Sequence, residues 1–401
     1  MGAYPLGCGR DAMNATRAAA PAAHAPRVVA NGRFMRQRLT GVQRYAHELT
    51  RRLNGQVEIL APPHAIASGG VAGHLWEQFV LPRHLGRRLL WSPANTGPLR
   101  VRHQVVTIHD VAALEHPEWF DPAFTRWYAY LWPRLARRVR RVITVSHAAA
   151  ARIADRLGVP DEKIAVVPNG VDAAFRPAPP PEVEKMRRHF DLPERYLLFV
   201  GSTEPRKNLG AVLAAWRLAA LRLPGVSLVL AGGISAVFQK VPGVRESTAG
   251  PAIPHPVNFS ARGVAGTPLP RVRALGYVEE RWLPALYSGA AAFVYLSLYE
   301  GFGLPVLEAM ACGTPVIASN IPAIQELVGG AGGPGGEGGA GGAALTVAPD
   351  DPEAAAEAMV RVATDPALSA AMRERGLRRA SLYSWDAAAG ATAAILEEAA
   401  R

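Results

Sequence analysis

The sequence predicts an α/β protein made of two doubly wound domains that face a central cleft. Twelve short apolar runs, rich in β-branched and aromatic residues, alternate with helical segments along the 401-residue chain, which is the pattern of parallel α/β layers. A proline-rich stretch, 175–185, divides these runs six and six. The composition is 49% hydrophobic and 19% charged, so the chain has material for two or three domains of about 150 residues each. Two such domains leave a cleft at the carboxyl ends of both sets of strands.

The apolar runs give the order of the predicted strands. The first half contains 27–34, 57–60, 89–92, 104–109, 141–146 and 164–168. The second half contains 196–202, 226–232, 272–276, 291–297, 314–319 and 344–348. We therefore divide the chain into a disordered segment (1–26), a first domain (27–178) and a second domain (179–401), with 175–185 as linker and hinge. The last helix is expected to pack back towards the first domain.

Two stretches interrupt the regular alternation of strands and helices. Residues 233–271 run long between strands and predict an extended loop, and 329–342, GGAGGPGGEGGAGG, predicts a flexible surface loop. Neither contains residues that suggest chemistry.

The charge is concentrated in the first half of the chain. Residues 1–176 hold 24 Lys and Arg against 12 Asp and Glu, whereas 177–401 hold 20 against 21. This favours an anionic partner for the first half, either nucleic acid or an anionic membrane surface that carries a lipid-linked substrate. An Arg-rich composition of the coding sequence would produce the same excess.

Apolar runs and cysteines indicate the compartment. No apolar run reaches the ~18–20 residues of a membrane-spanning helix. The two cysteines make neither a disulfide framework nor a metal set. We therefore expect a cytoplasmic protein without a metal site.

The most informative segment is 296–318, LSLYEGFGLPVLEAMACGTPVIA. Glu300 follows a buried strand and lies on a strand-to-helix loop, and Pro305 suits the first turn of the helix that carries Glu308 about one turn in. Such a loop directs free backbone N–H groups and a partial positive charge at a ligand above the sheet edge. A phosphate-bearing ligand with hydroxyls for two carboxylates fits this arrangement, which indicates a sugar nucleotide.

Three further positions at predicted strand ends suit the same ligand. Arg206 and Lys207 precede a helix and predict a diphosphate site, since each charge-assisted hydrogen bond contributes roughly 1.5–3 kcal/mol. His109 ends a first-half strand, where it can donate to a substrate hydroxyl or phosphate. Gly41, at a helix start after the first strand, allows close approach of the backbone to a ligand. A solvated Arg-Lys pair at a helix start, a structural histidine and an ordinary helix N-cap by Thr40 are the corresponding structural explanations.

The segment 121–141, DPAFTRWYAYLWPRLARRVRR, combines aromatic residues with six arginines. A basic, aromatic helix face can lie in a membrane interface, but the aromatic residues can equally be core. Pro133 is expected to interrupt or kink this helix.

The segments EGFGLPVLEAMACGTPVIAS, GSTEPRKNL, LTGVQRYAHEL and VPNGVD together resemble the retaining glycosyltransferases of family four, and the likeness is greater to mannosyltransferase-like members of polysaccharide assembly. The resemblance covers about residues 27–400 and implies the GT-B fold, in which two Rossmann-like domains face a cleft. The N-terminal domain would then lie on the acceptor side and the C-terminal domain would bind the nucleotide sugar.

The resemblance also implies roles for individual residues. Glu300 would hold hydroxyls of the donor sugar with the backbone N–H groups of Phe302, Gly303 and Leu304, and His109 would contact the sugar near the reacting carbon. Glu308 would take the ribose hydroxyls. The remaining implied donor-binding residues are Arg206, Lys207 and Gly41 for the diphosphate, and Tyr277 and Val278 for the base. Many relatives carry an Arg where this chain has Ser202.

The expected function is transfer of a hexose, mannose from GDP-mannose, to a glycan or lipid-linked acceptor in polysaccharide biosynthesis, with retention at the anomeric carbon. The nucleotide sugar is a substrate, and no cofactor, metal or nucleic acid is expected. We expect peripheral contact with an anionic membrane at its inner face. A glycoside hydrolase that uses the two Glu residues and a basic nucleic-acid-binding protein are the alternatives. Domain closure is expected to be needed, so the protein without ligand should hold Gly41 and His109 far from Arg206 and Glu300.

Overall fold

The computed structural model describes residues 27–37, 39–63, 66, 70–233, 270–329 and 342–401. The predictions for segment 1–26 and for nearly all of the loops 233–271 and 329–342 lie outside the described residues.

All twelve predicted strands are present, and they form two six-stranded parallel sheets. Half of these strands, all of them inside a sheet rather than at its edge, are buried along their whole length, as expected for sheets covered by helices on both faces. The first sheet contains β1 (Val28–Asn31), β2 (Val57–Leu60), β3 (Leu89–Ser92), β4 (Gln104–Thr107), β5 (Arg141–Thr144) and β6 (Ile164–Val166). The second contains β7 (Arg195–Val200), β8 (Val226–Ala231), β9 (Val272–Gly276), β10 (Ala292–Tyr295), β11 (Val316–Ser319) and β12 (Ala344–Val347).

The order of the strands places a ligand crevice in each sheet. The first sheet has the order β2-β1-β3-β4-β5-β6, and the second has β12-β11-β10-β7-β8-β9. The order reverses between β1 and β3 in the first sheet and between β7 and β10 in the second. In open parallel sheets ligands bind outside the carboxyl ends of strands at such a reversal. Arg206 and Lys207 follow β7 and Glu300 follows β10, so both predicted charged segments lie at the second reversal.

The helices cover both sheets. Those before residue 170 are α1 (Gly41–Arg52), α2 (Val71–Leu75), α3 (Ala112–Glu115), α4 (Pro122–Arg138) and α5 (His147–Leu157). Those after it are α6 (Pro180–His189), α7 (Leu209–Ala219), α8 (Leu283–Ser288), α9 (Leu304–Ala311), α10 (Pro322–Val328), α11 (Pro352–Thr364), α12 (Pro366–Ala380) and α13 (Trp385–Ala400). A π-helical turn, Trp76–Val80, and a 3₁₀ turn, Leu81–His84, continue α2.

Two predictions about proline were wrong in part, since the linker is helical over 180–185 and Pro133 does not interrupt its helix, while the hinge and the kink stay predictions. The expected linker 175–185 is helical from residue 180, because Pro180 and Pro181 occupy the first turn of α6, where no backbone N–H is needed. Pro133 does not interrupt α4, which runs unbroken through it. An internal proline costs about 3 kcal/mol, and α4 offsets this by burying an apolar face that includes Leu131, Trp132 and Leu135.

The end of the chain returns to the first sheet. Helix α13 packs on α1 and against β3 and β4. Trp385 is fully buried, with its ring 6.2 Å from that of Tyr45. The chain passes so close to residue 170 that a Cβ on Gly170 would lie 2.1 Å from the backbone nitrogen of Trp385. The last helix therefore belongs by sequence to the second half and by packing to the first. The predicted domain division at residue 178 falls between the two sheets and stays a prediction.

Candidate active site

A cavity of about 410 Å³ lies between the carboxyl ends of the two sheets. Every residue that the sequence predicted for the site lines it. These are Gly41, His109, Arg206, Lys207, Tyr277, Val278, Glu300, Phe302, Gly303, Leu304 and Glu308. The fold therefore brings together residues that the sequence places up to 267 positions apart, Gly41 and Glu308 being the outermost pair.

Glu300 is held through one of its two carboxylate oxygens. Its Oε1 accepts hydrogen bonds from Lys207 Nζ at 2.8 Å, Tyr295 OH at 2.7 Å and Ser297 Oγ at 2.7 Å. Its Oε2 lies 3.9 Å from the Arg206 guanidinium. Burial opposes ionisation of this carboxyl, but Lys207 and Arg206 outweigh burial and lower the pKa of Glu300 to about 2. The side chain is thus a fixed carboxylate whose second oxygen remains for a ligand.

Arg206 is oriented by three carboxylates. Its Nε donates to Glu204 Oε2 at 2.5 Å, and its NH1 lies 3.9 Å from Asp110 Oδ2, as it does from Glu300. Burial disfavours the charged guanidinium, yet these carboxylates raise the pKa of Arg206 above its usual value. Ser202 donates to Glu204 as well. The site therefore holds a permanent cation beside the buried Lys207.

The loop after β10 supplies backbone donors at the start of α9. The N–H groups of Phe302, Gly303 and Leu304 have no acceptor among the described residues. Gly303 has φ +105°, a conformation that favours glycine, and a Cβ there would also lie 2.6 Å from Ile324 Cδ1. Free N–H groups at a helix start form an anion-binding site. The loop thus contains backbone N–H groups without an acceptor among the described residues, as the sequence predicted for this strand-to-helix loop.

Glu308 faces the first half of the chain. Its Oε1 accepts from Arg44 NH1 at 2.8 Å, and its Oε2 accepts from Tyr287 OH at 3.1 Å. The same Arg44 reaches Glu280 with NH2 at 3.0 Å. Burial raises the pKa of Glu308 to about 7, an effect that Arg44 only partly offsets. The two carboxyls of the motif therefore differ in ionisation: Glu300 is charged at all ordinary pH values, whereas Glu308 titrates near neutrality.

His109 is buried at the cavity with a defined tautomer. Its Nε2 lies 3.1 Å from the carbonyl oxygen of Pro93 and its ring stacks edge-on against Tyr45 at 4.6 Å. A carbonyl only accepts, so Nε2 carries the proton and donates to it. Burial lowers the pKa of His109 to about 4, which keeps the ring neutral. Nδ1 is then an acceptor.

The expectation that the two halves would stand apart without a ligand was wrong. A Cβ on Gly41 would lie 3.3 Å from Leu304 Cδ1, and one on Gly301 would lie only 2.4 Å from the backbone oxygen of His109. Ser146 Oγ donates to Gly301 O at 2.6 Å. These contacts, with the Arg44–Glu308 ion pair, hold the cleft closed.

The positions predicted for the base lie on the other side of the cavity. Val278 is buried and Tyr277 is two-thirds exposed, after β9 and opposite α1. Glu280 and Leu283 continue this wall. The wall is thus partly apolar and open to solvent.

Several site residues were not identified from the sequence. They are Arg44, Asp110, Glu204, Tyr287, Tyr295 and Ser297. Tyr295 and Ser297 carried a signal, because they alternate in the strand that leads to Glu300 and so share a face. Arg44 follows Gly41 by about one helical turn in the segment already singled out. The other three had no local pattern.

Within the described ranges, no group of three or more His, Cys, Asp or Glu side chains could hold a metal ion. No helix in the same ranges is long and apolar enough to cross a bilayer.

The cleft between the two parallel sheets brings together two cations, free N–H groups and two carboxylates. The family model of the glycosyl transferases group 1 matches residues 182–379, and that of glycosyltransferase family 4 matches residues 89–175. The chain belongs to the group 1 glycosyltransferases, and its two-sheet architecture is the GT-B fold.

Comparison with individual proteins agrees with this assignment. The chain is 29% identical to O-antigen chain mannosyltransferase B of Escherichia coli over 299 residues, which cover 72% of this chain and 68% of the relative. It is also 29% identical to the MMP α-(1→4)-mannosyltransferase of Mycolicibacterium hassiacum over 322 residues, 79% of this chain and 69% of that protein. The fold is also similar to that of HepE of Anabaena, solved in complex with UDP and glucose, with a TM-score of 0.65 and 16% sequence identity. The match covers 93% of this chain and 100% of the HepE chain.

Proposed function

We propose that the enzyme transfers mannose from a nucleotide diphosphate sugar, GDP-mannose, to a hydroxyl of a glycan or lipid-linked acceptor in polysaccharide biosynthesis, with retention at the anomeric carbon. Membership of the family supports sugar transfer. The mannosyl donor is supported by the named activity of the two relatives.

One observation carries the proposal. Glu300 has one oxygen saturated by Lys207, Tyr295 and Ser297, while the other oxygen points to the cation Arg206 at the cavity. A carboxylate fixed in this way can accept from hydroxyls of the donor sugar through Oε2 without a change of rotamer. Preorganisation of this kind keeps the cost of reorganisation low when the sugar reacts.

The diphosphate would lie against the cations. Arg206, Lys207 and the N–H groups of Phe302, Gly303 and Leu304 provide the positive field that a departing diphosphate needs. In this mechanism the bond from the anomeric carbon to the diphosphate oxygen breaks, and the acceptor oxygen bonds to the same face of that carbon. The acceptor proton passes to the departing diphosphate oxygen, so no protein nucleophile is needed.

The nucleoside would occupy the wall formed by the second sheet. Glu308 would accept from the ribose hydroxyls, and its bonds from Arg44 and Tyr287 fix its orientation. Val278 and the backbone at Tyr277 would contact the base. His109 would accept a hydrogen bond from a sugar hydroxyl at Nδ1, since its Nε2–H already donates to the carbonyl oxygen of Pro93.

The hydrolase alternative has one observation in its favour. The pKa values of Glu300 and Glu308, about 2 and about 7, are separated as in a pair of nucleophile and general acid. A hydrolase, however, has no use for Arg206, Lys207 and three free N–H groups beside its carboxylates. Family membership also favours transfer over hydrolysis.

Thermal unfolding with candidate donors tests the proposal. A ligand at ten times its Kd adds about 1.4 kcal/mol to the free energy of unfolding, so GDP-mannose should raise the Tm by a few degrees and UDP-, dTDP- and ADP-sugars by less. Lys207→Met should lose this increase, while Glu115→Gln, a paired carboxylate outside the cavity, should keep it.

The chemistry is then tested by product analysis. Proton NMR of the product should show the α configuration of the donor, with GDP released in equal amount. The proposal would be contradicted if none of the nucleotide sugars raised the Tm, or if the enzyme released free sugar from a glycoside in the absence of a nucleotide.

A further inference from the structure

An exposed surface of the first half combines apolar side chains with arginines. Val71, Leu75 and Phe79 follow one another at four-residue spacing along α2 and the π-helical turn, and they are 76%, 52% and 48% exposed. Spacing of four residues places them in one stripe. Such a stripe of large apolar side chains in water marks an interaction site.

Helix α4 extends this stripe. The His74 ring lies 5.0 Å from that of Trp127, which stacks on the half-exposed Tyr130 at 6.1 Å. The Arg134 guanidinium covers the Tyr130 ring at 4.0 Å, and the Arg100 guanidinium lies 5.8 Å from the Phe79 ring. We call this surface the α2–α4 face: Val71, Leu75, Phe79, Arg100, Tyr130, Arg134 and Arg138.

The two segments that carry this face show only positive charge to solvent. Segments 71–109 and 122–138 contain nine arginines and a single acidic residue, Glu77. Glu77 is fully buried, where it pairs with Arg33 at 3.4 Å. These two segments therefore show no carboxylate to solvent, and their exposed charge is positive throughout.

We propose that the α2–α4 face docks on an anionic lipid bilayer. Arginines would meet the phosphate headgroups, and the apolar stripe would enter the boundary between headgroups and acyl chains, with Tyr130 at the level of the headgroups. Nucleic acid would match the arginines but would leave the aliphatic side chains of Val71 and Leu75 without a partner. The combination therefore selects a membrane.

The face is connected to the cavity by one loop. Gln78 bonds the backbone of Gly97 and Leu99 at 2.9 and 3.0 Å, and Asn95 of the same loop accepts from the His109 N–H at 2.8 Å. Docking would thus present the acceptor side of the cleft to the bilayer. The delivery of a lipid-linked acceptor to His109 rests on the proposed function, whereas docking itself does not.

Flotation of the full chain with vesicles tests the proposal. The vesicles are pure phosphatidylcholine and phosphatidylcholine mixed with phosphatidylglycerol at a ratio of about 7:3, because the anionic fraction sets the surface potential. Two double variants alter the face: Leu75→Ser with Phe79→Ser, and Arg134→Glu with Arg138→Glu. Leu221→Ser and Arg378→Glu are matched controls, since both side chains are exposed on the second half.

The expected result is binding to the anionic vesicles only, weakened at least about tenfold by each double variant and unchanged in the controls. The flotation assay needs neither donor nor acceptor. Vesicle binding can therefore be absent while sugar transfer is present, and sugar transfer can be absent while vesicle binding is present. No binding to anionic vesicles, or binding that both double variants retain, would overturn the proposal. Binding to duplex DNA that the Leu75 and Phe79 changes leave unaltered, without vesicle binding, would assign the arginines to nucleic acid instead.

Discussion

Substitution of Glu300 by Gln separates the role of this residue in binding from its role in stability. The amide oxygen can still accept from Lys207, Tyr295 and Ser297, so the buried cluster keeps its three hydrogen bonds. The atom that replaces Oε2 is then an N–H₂ group, which donates and cannot accept from a sugar hydroxyl. A hydrogen bond to a charged group contributes about 1.5–3 kcal/mol, so kcat/KM should fall roughly 10- to 150-fold.

Glu300→Ala is the less informative change. Both substitutions remove the negative member of the buried pair with Lys207, at a cost of about 3–5 kcal/mol, but Ala also leaves the Lys207 ammonium and two hydroxyls buried without an acceptor. Loss of turnover in the Ala variant would therefore mix binding with unfolding.

The assay is the release of nucleoside diphosphate, measured as kcat/KM together with the Tm of each variant. Glu115→Gln is the matched control, because that carboxylate pairs with Arg156 at 3.1 Å outside the cavity. A Gln variant of Glu300 that stays within about threefold of the wild-type kcat/KM, a difference below ~0.7 kcal/mol, would refute the assignment of Oε2 to the donor sugar.

Three further predictions follow from the closed cleft and the ionisation of Glu308. The pKa of Glu308 is raised to about 7, so its carboxyl loses its charge as the pH falls through about 7. The protonated form accepts hydrogen bonds more weakly, and the donor KM should therefore rise about tenfold on the acid side. Initial rates of Glu308→Gln should no longer show this pH dependence of KM. Arg44→Met removes the cation 2.8 Å from Glu308, which should move the midpoint of the same KM profile to higher pH; an unmoved midpoint would mean that Arg44 does not govern this carboxyl. Gly301→Ala places a Cβ 2.4 Å from the His109 carbonyl and should hold the halves apart, with a larger radius of gyration in X-ray scattering and a fall in kcat/KM of at least about tenfold. Gly210→Ala, where a Cβ has nothing within 4 Å, is its control, and an unchanged radius of gyration in the Gly301 variant would count against the closed cleft.

The strands and the loops at their ends were predictable because their signals are local. Runs such as 291–297 are continuously apolar, which is typical of a strand covered on both faces, and a proline five residues after Glu300 marks the start of a helix. From these signals alone the carboxylates and the pair Arg206 and Lys207 could be placed at the same edge of one sheet. The linker prediction was wrong over 180–185, because proline occupies the first turn of a helix as readily as it occupies a linker.

What the sequence by itself determined is thus the set of twelve strands, the six-and-six division and the cavity-lining residues that follow strands. The tertiary structure alone decided how these residues are ionised and which surface is left exposed. Arg44 and Glu308 are 264 positions apart, and no periodicity of a single chain reports a contact at that distance, because it depends on how the two sheets pack across the cleft. Burial in that closed cleft is what raises the pKa of Glu308 and lowers that of His109. Packing within the first half buries Glu77 against Asn31, Arg33 and Thr96 and leaves the arginines of the α2–α4 face in solvent.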